Sequence, residues 1–185
     1  MAQKKEIALV KLIEPSSNEE QCRAYLEGLR WPEGVTCPRC GSEKISRIKT
    51  RGQLDCDSCR YRFSVTAGTI FHNTHLPLWK WLVTVYFIVG AKKTISADRL
   101  KDYIGVSYKT AWYLRRRIRT ALAEVDAKLS LGGVDLHGAS PGVHDGCLDA
   151  SLNEMRLRMS NKGNPYALRD AVRKLLVADN LTYSK

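Results

Sequence analysis

Four cysteines in two closely spaced pairs are the residues of this chain best suited to chemistry. Two residues separate Cys37 from Cys40 and Cys56 from Cys59, and fifteen residues lie between the pairs. A two-residue spacing lets both sulfurs of a pair face one ion, and four thiolates converging from two sides suit tetrahedral zinc. Cysteine would fill every ligand position, so no position remains for a substrate. The spacing therefore predicts one structural Zn²⁺ ion, in preference to a rubredoxin-like iron site or two disulfides.

The segment around these pairs carries a strand pattern. Ile45, Ile48 and Leu54 suit two strands of a hairpin that returns the second pair to the first, and Tyr61 and Phe63 continue the pattern. We therefore predict a zinc ribbon, in which the metal replaces the core that ~33 residues are too few to form. Its basic side chains have two open interpretations, contact with phosphates or an ordinary solvated surface: Lys44, Arg47, Lys49, Arg51, Arg60 and Arg62.

The charge balance of the chain favours a polyanionic partner. Thirty Lys and Arg against nineteen Asp and Glu leave a net charge of +11, and a basic surface attracts phosphate backbones through counterion release. Ribosomal and membrane-surface proteins share that property. The most apolar run, residues 76–91, contains Lys80 and is shorter than the ~18–20 residues of a membrane span. With no secretion signal at its start, the chain is expected to be cytoplasmic and nucleoid-associated, without membrane contact and with reduced thiols.

A helix-turn-helix pattern follows the ribbon. Its first helix is predicted over about 96–103, Gly105 supplies the turn, and Ser107 caps a second helix over about 108–125. An apolar helix over about 77–89 completes a three-helix unit. Its tryptophans could stack on bases, but we favour packing in the core.

The second helix of this unit has two different faces. Apolar residues recur on one face at about 100° per residue: Ala111, Leu114, Ile118, Leu122 and Val125. Arg115 and Arg119 are predicted nearer that packed side. The opposite face offers hydrogen-bond donors and cations suited to guanine edges and phosphates, whereas the alternative is the polar face of an ordinary bundle helix. Opposite the packed side lie Lys109, Tyr113, Arg116 and Thr120, with Thr110 and Arg117 beside them. The predicted DNA contacts are Ser107, Lys109, Thr110, Tyr113, Arg116 and Arg117.

Differences in composition divide the rest of the chain into helical segments and a linker. A helix ending near Trp31 precedes the ribbon and carries Cys22, which we interpret as a small core residue. After Leu131 a Gly-rich stretch indicates a linker, and Cys147 has no assigned role. Two further helices are predicted over about 148–160 and 166–178. The predicted fold is mainly α with a small β zinc ribbon, and its segments are a lead-in and helix (1–33), the zinc ribbon (34–66), the helix-turn-helix unit (67–125), a linker or remnant (126–147) and a C-terminal helical tail (148–185).

The order of these motifs resembles the N-terminal half of bacterial insertion-sequence transposases. The resemblance covers residues 17–122 and is carried by Cys37-Pro38-Arg39-Cys40-Gly41-Ser42, the second cysteine pair, residues 63–71, the Trp-rich helix and Thr110-Ala111-Trp112. Such proteins join a zinc ribbon and a helix-turn-helix to a DDE-type, ribonuclease-H-like nuclease core. The resemblance therefore implies double-stranded DNA as the partner.

The nuclease core that the resemblance implies is incomplete. Its carboxylates hold two metal ions, and the first usually lies in a Val-Asp-Glu-x-Tyr strand after the helix-turn-helix. Asp135 stands at about that place, but Leu136-His137-Gly138 replaces the rest of the motif. Asp126 comes too soon and is predicted to extend the helix. We therefore predict no catalytic residue, with Asp135 as the weak candidate.

The C-terminal segments resemble the extreme C-terminal helix and tail of the same transposases. They are residues 152–158 and 164–170, so the chain resembles a transposase whose core is deleted between about residues 138 and 148. We expect a DNA-binding protein without enzyme activity, binding transposon ends or a regulatory DNA site. The main alternative is a subunit or truncated form of a DDE transposase, with a second copy or a full-length transposase as partner. A protein–protein adaptor and a decayed remnant are the other interpretations.

Overall fold

Helices dominate the computed structural model, and one small sheet accompanies them. The structure describes residues 19–48, 52–90, 95–130, 155, 159, 164 and 166–177. Within those ranges the elements are α1 (Glu19–Arg30), β1 (Ile45–Ile48), β2 (Gln53–Cys56), β3 (Arg62–Phe63), α2 (Leu78–Val89), α3 (Ala97–Ile104), α4 (Tyr108–Ser130) and α5 (Ala167–Val177). The predicted fold class, mainly α with a small β ribbon, is confirmed. Asp135, Cys147 and most of the helix predicted over 148–160 lie outside the described residues.

Helix α1 is amphipathic and ties the start of the described chain to the bundle. Glu19 and Glu20 lie in its first turn and Arg30 in its last, which complements the helix dipole. Cys22 is fully buried, so its interpretation as a core residue is confirmed. The carboxylate of Glu19 accepts a hydrogen bond from the backbone N–H of Leu78 at 2.9 Å. This bond satisfies an amide at the start of α2, whose N-cap is a proline without a side-chain cap.

The ribbon sheet is antiparallel, with β2 between β1 and β3. Ile45 pairs with Cys56, and Leu54 pairs with Phe63. Leu54 and Phe63 are buried together with two of the cysteines in a small cluster of their own. The hairpin therefore brings the second cysteine pair back to the first, as predicted.

The larger core lies between the helices. Helix α2 is apolar on nearly all sides and is the central element, because eight of its twelve residues are buried. Helices α1, α4 and α5 all pack with it in one cluster, to which α5 contributes Val172 and Leu175 at 0 % exposure. The structure thus gathers one core from helices that the sequence division assigned to separate segments. Within the described ranges, no helix has the length and apolarity needed to cross a membrane.

Predicted helix bounds agree with the structure except at the end of α4. That helix continues to Ser130, beyond the predicted end near residue 125. The prediction stopped where the apolar repeat ended, but no Gly or Pro interrupts residues 126–130, and the helix therefore extends. Trp81 on α2 is 2 % exposed, which confirms that it packs in the core.

Candidate zinc centre and nucleic-acid interface

The four predicted zinc ligands converge on one point. All four sulfur atoms lie within 4.8 Å of one another. The Sγ atoms of Cys37 and Cys59 are 3.6 Å apart, and those of Cys40 and Cys56 are 3.5 Å apart. A tetrahedral zinc ion with Zn–S bonds of ~2.3 Å separates its sulfur ligands by roughly 3.8 Å. The donor set and its spacing therefore fit zinc, and the four thiols are free rather than paired in disulfides.

The two knuckles that carry these thiols have the same backbone geometry. In the first, the N–H of Gly41 donates to the Cys37 carbonyl at 2.9 Å, and in the second the N–H of Arg60 donates to the Cys56 carbonyl at 2.8 Å. Both donors have positive φ, 70° and 58°. Glycine adopts this conformation at little cost, whereas Arg60 is held in it by the second knuckle. The repeat explains how two short loops aim four sulfurs at one ion.

Backbone hydrogen bonds and burial shift the pKa values of two of the thiols in opposite directions. Hydrogen bonds from the backbone N–H groups of Cys59 and Ser58 help lower the pKa of Cys56 to about 7. Desolvation by burial raises the pKa of Cys59 to about 12, despite a backbone hydrogen bond involving Tyr61. A cation that binds both sulfurs as thiolates must therefore displace the proton of Cys59 throughout the neutral range.

The helix-turn-helix forms through the local signals that predicted it. Ser96 caps α3 by accepting from the Arg99 N–H at 3.2 Å, and Gly105 adopts φ 60° at the turn. The Ser107 hydroxyl caps α4 by accepting from the Thr110 N–H at 3.2 Å. These contacts confirm the two predicted caps and the glycine turn, and they fix how α4 leaves α3.

Helix α2 braces the turn of this motif. The ammonium group of Lys80 donates to the carbonyl of Gly105 at 3.2 Å. On α3, Lys101 pairs with Asp98 at 2.7 Å, and this hydrogen-bonded carboxylate raises the pKa of Lys101. The positive charge of Lys101 is therefore engaged in an ion pair within α3.

The outer face of α4 presents part of the predicted contact set to solvent. Lys109 and Arg116 are exposed, and Tyr113 is 39 % exposed. Ser107 is also exposed, and its hydroxyl lies 2.9 Å from that of Thr110, which is half-buried. The apolar repeat from Ala111 to Leu122 packs inward, as predicted. Arg115 and Arg119 are half-buried, in line with their predicted position near the packed side.

Arg117 is the exception, because its predicted place beside the outer face is wrong. It is 9 % exposed, and its Nη1 atom donates to the Tyr113 hydroxyl at 2.7 Å. Its guanidinium lies 5.8 Å from the ring centroid of Trp81 on α2 and 5.8 Å from that of Tyr113. Because Trp81 packs on this side of α4, the side chain of Arg117 lies buried between α2 and α4.

Two aromatic residues missed by the sequence prediction occupy the outer face instead. Tyr108 is 55 % exposed and Trp112 is 43 % exposed. With Arg116 they form a row in which each residue follows the last by four, and the Arg116 guanidinium lies 5.2 Å from the Trp112 ring centroid. We call Tyr108, Trp112 and Arg116 the outer row. The four-residue spacing is the signal that would have identified it.

The joint between ribbon and bundle was also not predicted. Arg30, in the last turn of α1, donates to the Val65 carbonyl at 2.6 Å and lies 4.8 Å from the ring centroid of Trp31. Burial lowers the pKa of Arg30. Trp31 packs against both cores and meets Phe63 edge-on with ring centroids 6.0 Å apart. These contacts therefore pack the ribbon that carries the metal site directly against the helices.

Salt bridges engage some basic side chains of the ribbon. Arg47 pairs with Glu27 of α1 at 2.7 Å, and Arg62 lies 3.8 Å from Asp55. Lys44, like Arg60, is exposed, whereas Lys49 and Arg51 lie outside the described residues. Asp126 extends α4, as predicted, and forms an ion pair with Lys174 of α5.

Comparison with known proteins finds a family model that matches the ribbon. Residues 17–62 match the model of the transposase zinc-ribbon domain. This part of the chain is similar to a transposase zinc ribbon. Its four cysteines form the zinc-binding site of that ribbon.

A relative from a mobile element extends this result. The chain is 31 % identical over 113 residues to an uncharacterized protein in transposable element ISH50 of Halobacterium salinarum. The match spans 60 % of this chain and 37 % of the relative, so the chain covers little more than a third of the relative's length. No solved structure matches the chain.

Proposed function

We propose that this protein is a nucleoid-associated, transposase-derived DNA-binding protein that binds transposon ends or a regulatory DNA site and has no nuclease activity of its own. The observation that carries the proposal is the outer face of α4. Residues 108–123 contain five Lys and Arg and no Asp or Glu. Lys109 and Arg116 from this set are exposed at the N-terminal half of the helix.

The position of this face within the motif supports DNA as the ligand. In a helix-turn-helix the residues near the start of the second helix approach base edges, while flanking cations contact phosphates. Lys109 lies two residues after the Ser107 cap, and Arg116 lies two turns further along the same side. The positive end of the helix dipole adds to the attraction for phosphate at this end.

The ribbon acts in this proposal as a support. Zinc holds the knuckles, and the bond from Arg30 to the Val65 carbonyl holds the ribbon against α1. The exposed Lys44 and Arg60 add positive charge at the ribbon surface, where they would extend the contact to phosphates.

Salt-dependent binding is the test. Fluorescence anisotropy would measure the affinity of the zinc-loaded protein for random duplex and for duplex carrying the terminal repeats of related elements. We expect tighter binding at low salt, and Lys109→Ala or Arg116→Ala should each reduce the slope of log K against log [salt] by ~0.9. Arg173→Ala, which removes an equal charge from the exposed side of α5, is the matched control. Absence of binding at low salt, or an equal effect of the control, would overturn the proposal.

The absence of nuclease activity rests on the sequence around Asp135. Leu136-His137-Gly138 follows that residue, and few residues separate it from the C-terminal segments. We expect the protein to bind supercoiled plasmid carrying the terminal repeats without nicking it in Mg²⁺ or Mn²⁺. Nicking that Asp135→Asn abolishes would contradict this part of the proposal and favour the alternative role in transposition.

That alternative has its own support in the match to the transposable-element protein, which is longer than the matched segment. In it, the chain works as a subunit with a second copy or with a full-length transposase. Co-purification with a tagged transposase from the same element would favour this role. The strand-transfer rate of that transposase should then depend on the presence of this chain and on Asp135.

A further inference from the structure

The outer row places two large aromatic side chains where a helix usually presents polar ones. Tyr108 and Trp112 are 55 % and 43 % exposed, and Tyr113 beside them is 39 % exposed. The inward face of this part of α4 is already complete, because Ala111, Leu114, Ile118 and Leu122 are fully buried. The core therefore does not account for the outer aromatics, and a patch of this kind indicates an interaction surface.

Charge identifies the class of partner that fits this patch. Lys109 and Arg116 border it, and no acidic residue occurs between Tyr108 and Ala123. The guanidinium of Arg116 lies 5.2 Å from the Trp112 ring centroid, so a partner that contacts the ring also meets this positive charge. An aromatic surface with two exposed cations and no acidic residue on the same stretch of helix complements a surface that is both anionic and partly apolar.

The major groove of DNA is such a surface. It is wide enough to admit a helix, its walls are phosphates, and its one apolar feature is the C5-methyl group of thymine. Tyr108 and Trp112 lie in the first two turns of α4, where a helix-turn-helix approaches base edges. Arg116 continues the row toward a guanine edge or a phosphate.

We propose that Trp112, assisted by Tyr108, contacts thymine methyl groups in the major groove and makes the protein select thymine-containing sites. The inference rests on the proposed DNA-binding function and adds to it the residue and the chemical group that determine specificity. Trp112 thereby acts in sequence selection, whereas Lys109 supplies attraction that is independent of sequence.

Replacing thymine by deoxyuridine tests this directly, because it removes the methyl group and leaves the pairing edge unchanged. A binding duplex would first be enriched from a random pool, and anisotropy would then compare its thymine and deoxyuridine forms. The wild-type protein should lose about fourfold affinity for each contacted methyl, as for one buried methylene. Trp112→Ala should bind more weakly and lose most of the preference for the thymine form, with an unchanged salt slope. Tyr86→Ala, which truncates an exposed aromatic on α2, is the control and should keep the preference for thymine.

Each outcome separates this inference from the function on which it rests. Salt-dependent DNA binding with equal affinity for both duplexes overturns the inference and leaves the proposed function standing. No DNA binding under any condition overturns both. Self-association that Trp112→Ala abolishes, with DNA affinity unchanged, would instead make the outer row an interface between copies of the chain. Helicity and zinc content of Trp112→Ala establish that the variant is folded.

Discussion

Truncating Leu175 tests whether the last described helix is part of the main helical core. Its side chain on α5 is fully buried among helices from the other end of the chain. Leu175→Ala removes three carbon groups, which at ~0.8 kcal/mol each corresponds to about 2.4 kcal/mol of lost transfer free energy. The unfilled space adds to this, so the free energy of unfolding should fall by about 3–4 kcal/mol.

Urea unfolding followed by helical circular dichroism measures that loss. With a urea dependence of ~2 kcal/mol per molar, a loss of 3 kcal/mol lowers the unfolding midpoint by about 1.5 M. Val177→Ala is the matched control, because Val177 lies on the same helix but is 80 % exposed, and we expect its effect to stay within about 0.5 kcal/mol. Equal midpoints for the two variants would refute the packing of α5 in this core.

Three further predictions concern the joint, the turn and the metal site. Arg30→Met keeps most of the side-chain bulk but leaves the Val65 carbonyl without its donor, so the free energy of unfolding should fall by ~1–3 kcal/mol. Arg47→Met breaks an exposed ion pair and is the control, which should cost ~0.2–1 kcal/mol in the same denaturation assay. Gly105→Ala should cost ~1–2 kcal/mol, because open space surrounds the position but its φ of +60° strains any residue with a Cβ; an unchanged midpoint would contradict the left-handed turn. The lowered pKa of Cys56, about 7, means that its sulfur is mostly a thiolate at pH 8 and mostly a thiol at pH 6. Calorimetry in buffers of different ionisation enthalpy should therefore find about one more proton released per zinc at pH 6, and equal release at both pH values would contradict the assignment.

Local signals made the zinc ligands and the turn predictable. The spacing of the two cysteine pairs indicates their chemistry. The turns that close the two knuckles are local as well, because the bonds from Gly41 to Cys37 and from Arg60 to Cys56 each span four residues. Ser96, Gly105 and Ser107 act on backbone groups no more than four residues away. Such features can be read directly from a short stretch of sequence.

Long-range packing accounts for what the sequence did not reveal. The helical repeat of α4 predicts Arg117 beside the outer face, but Trp81, from another helix, packs on that side. Arg30 reaches a carbonyl 35 residues away. The exposure of Trp112, by contrast, could be predicted from its four-residue spacing to Tyr108 and Arg116.

Photo-crosslinking from the start of α4 tests most directly the claim that its outer face contacts DNA. Zinc-loaded protein carrying p-benzoylphenylalanine in place of Lys109 would be irradiated with labelled duplex at low salt, beside protein carrying the same group in place of Arg173 on α5. Both positions are exposed, so solvent access does not distinguish them. We predict a covalent protein–DNA product from position 109 and little from position 173. Equal products from both positions, or a product from position 173 alone, would contradict the claim.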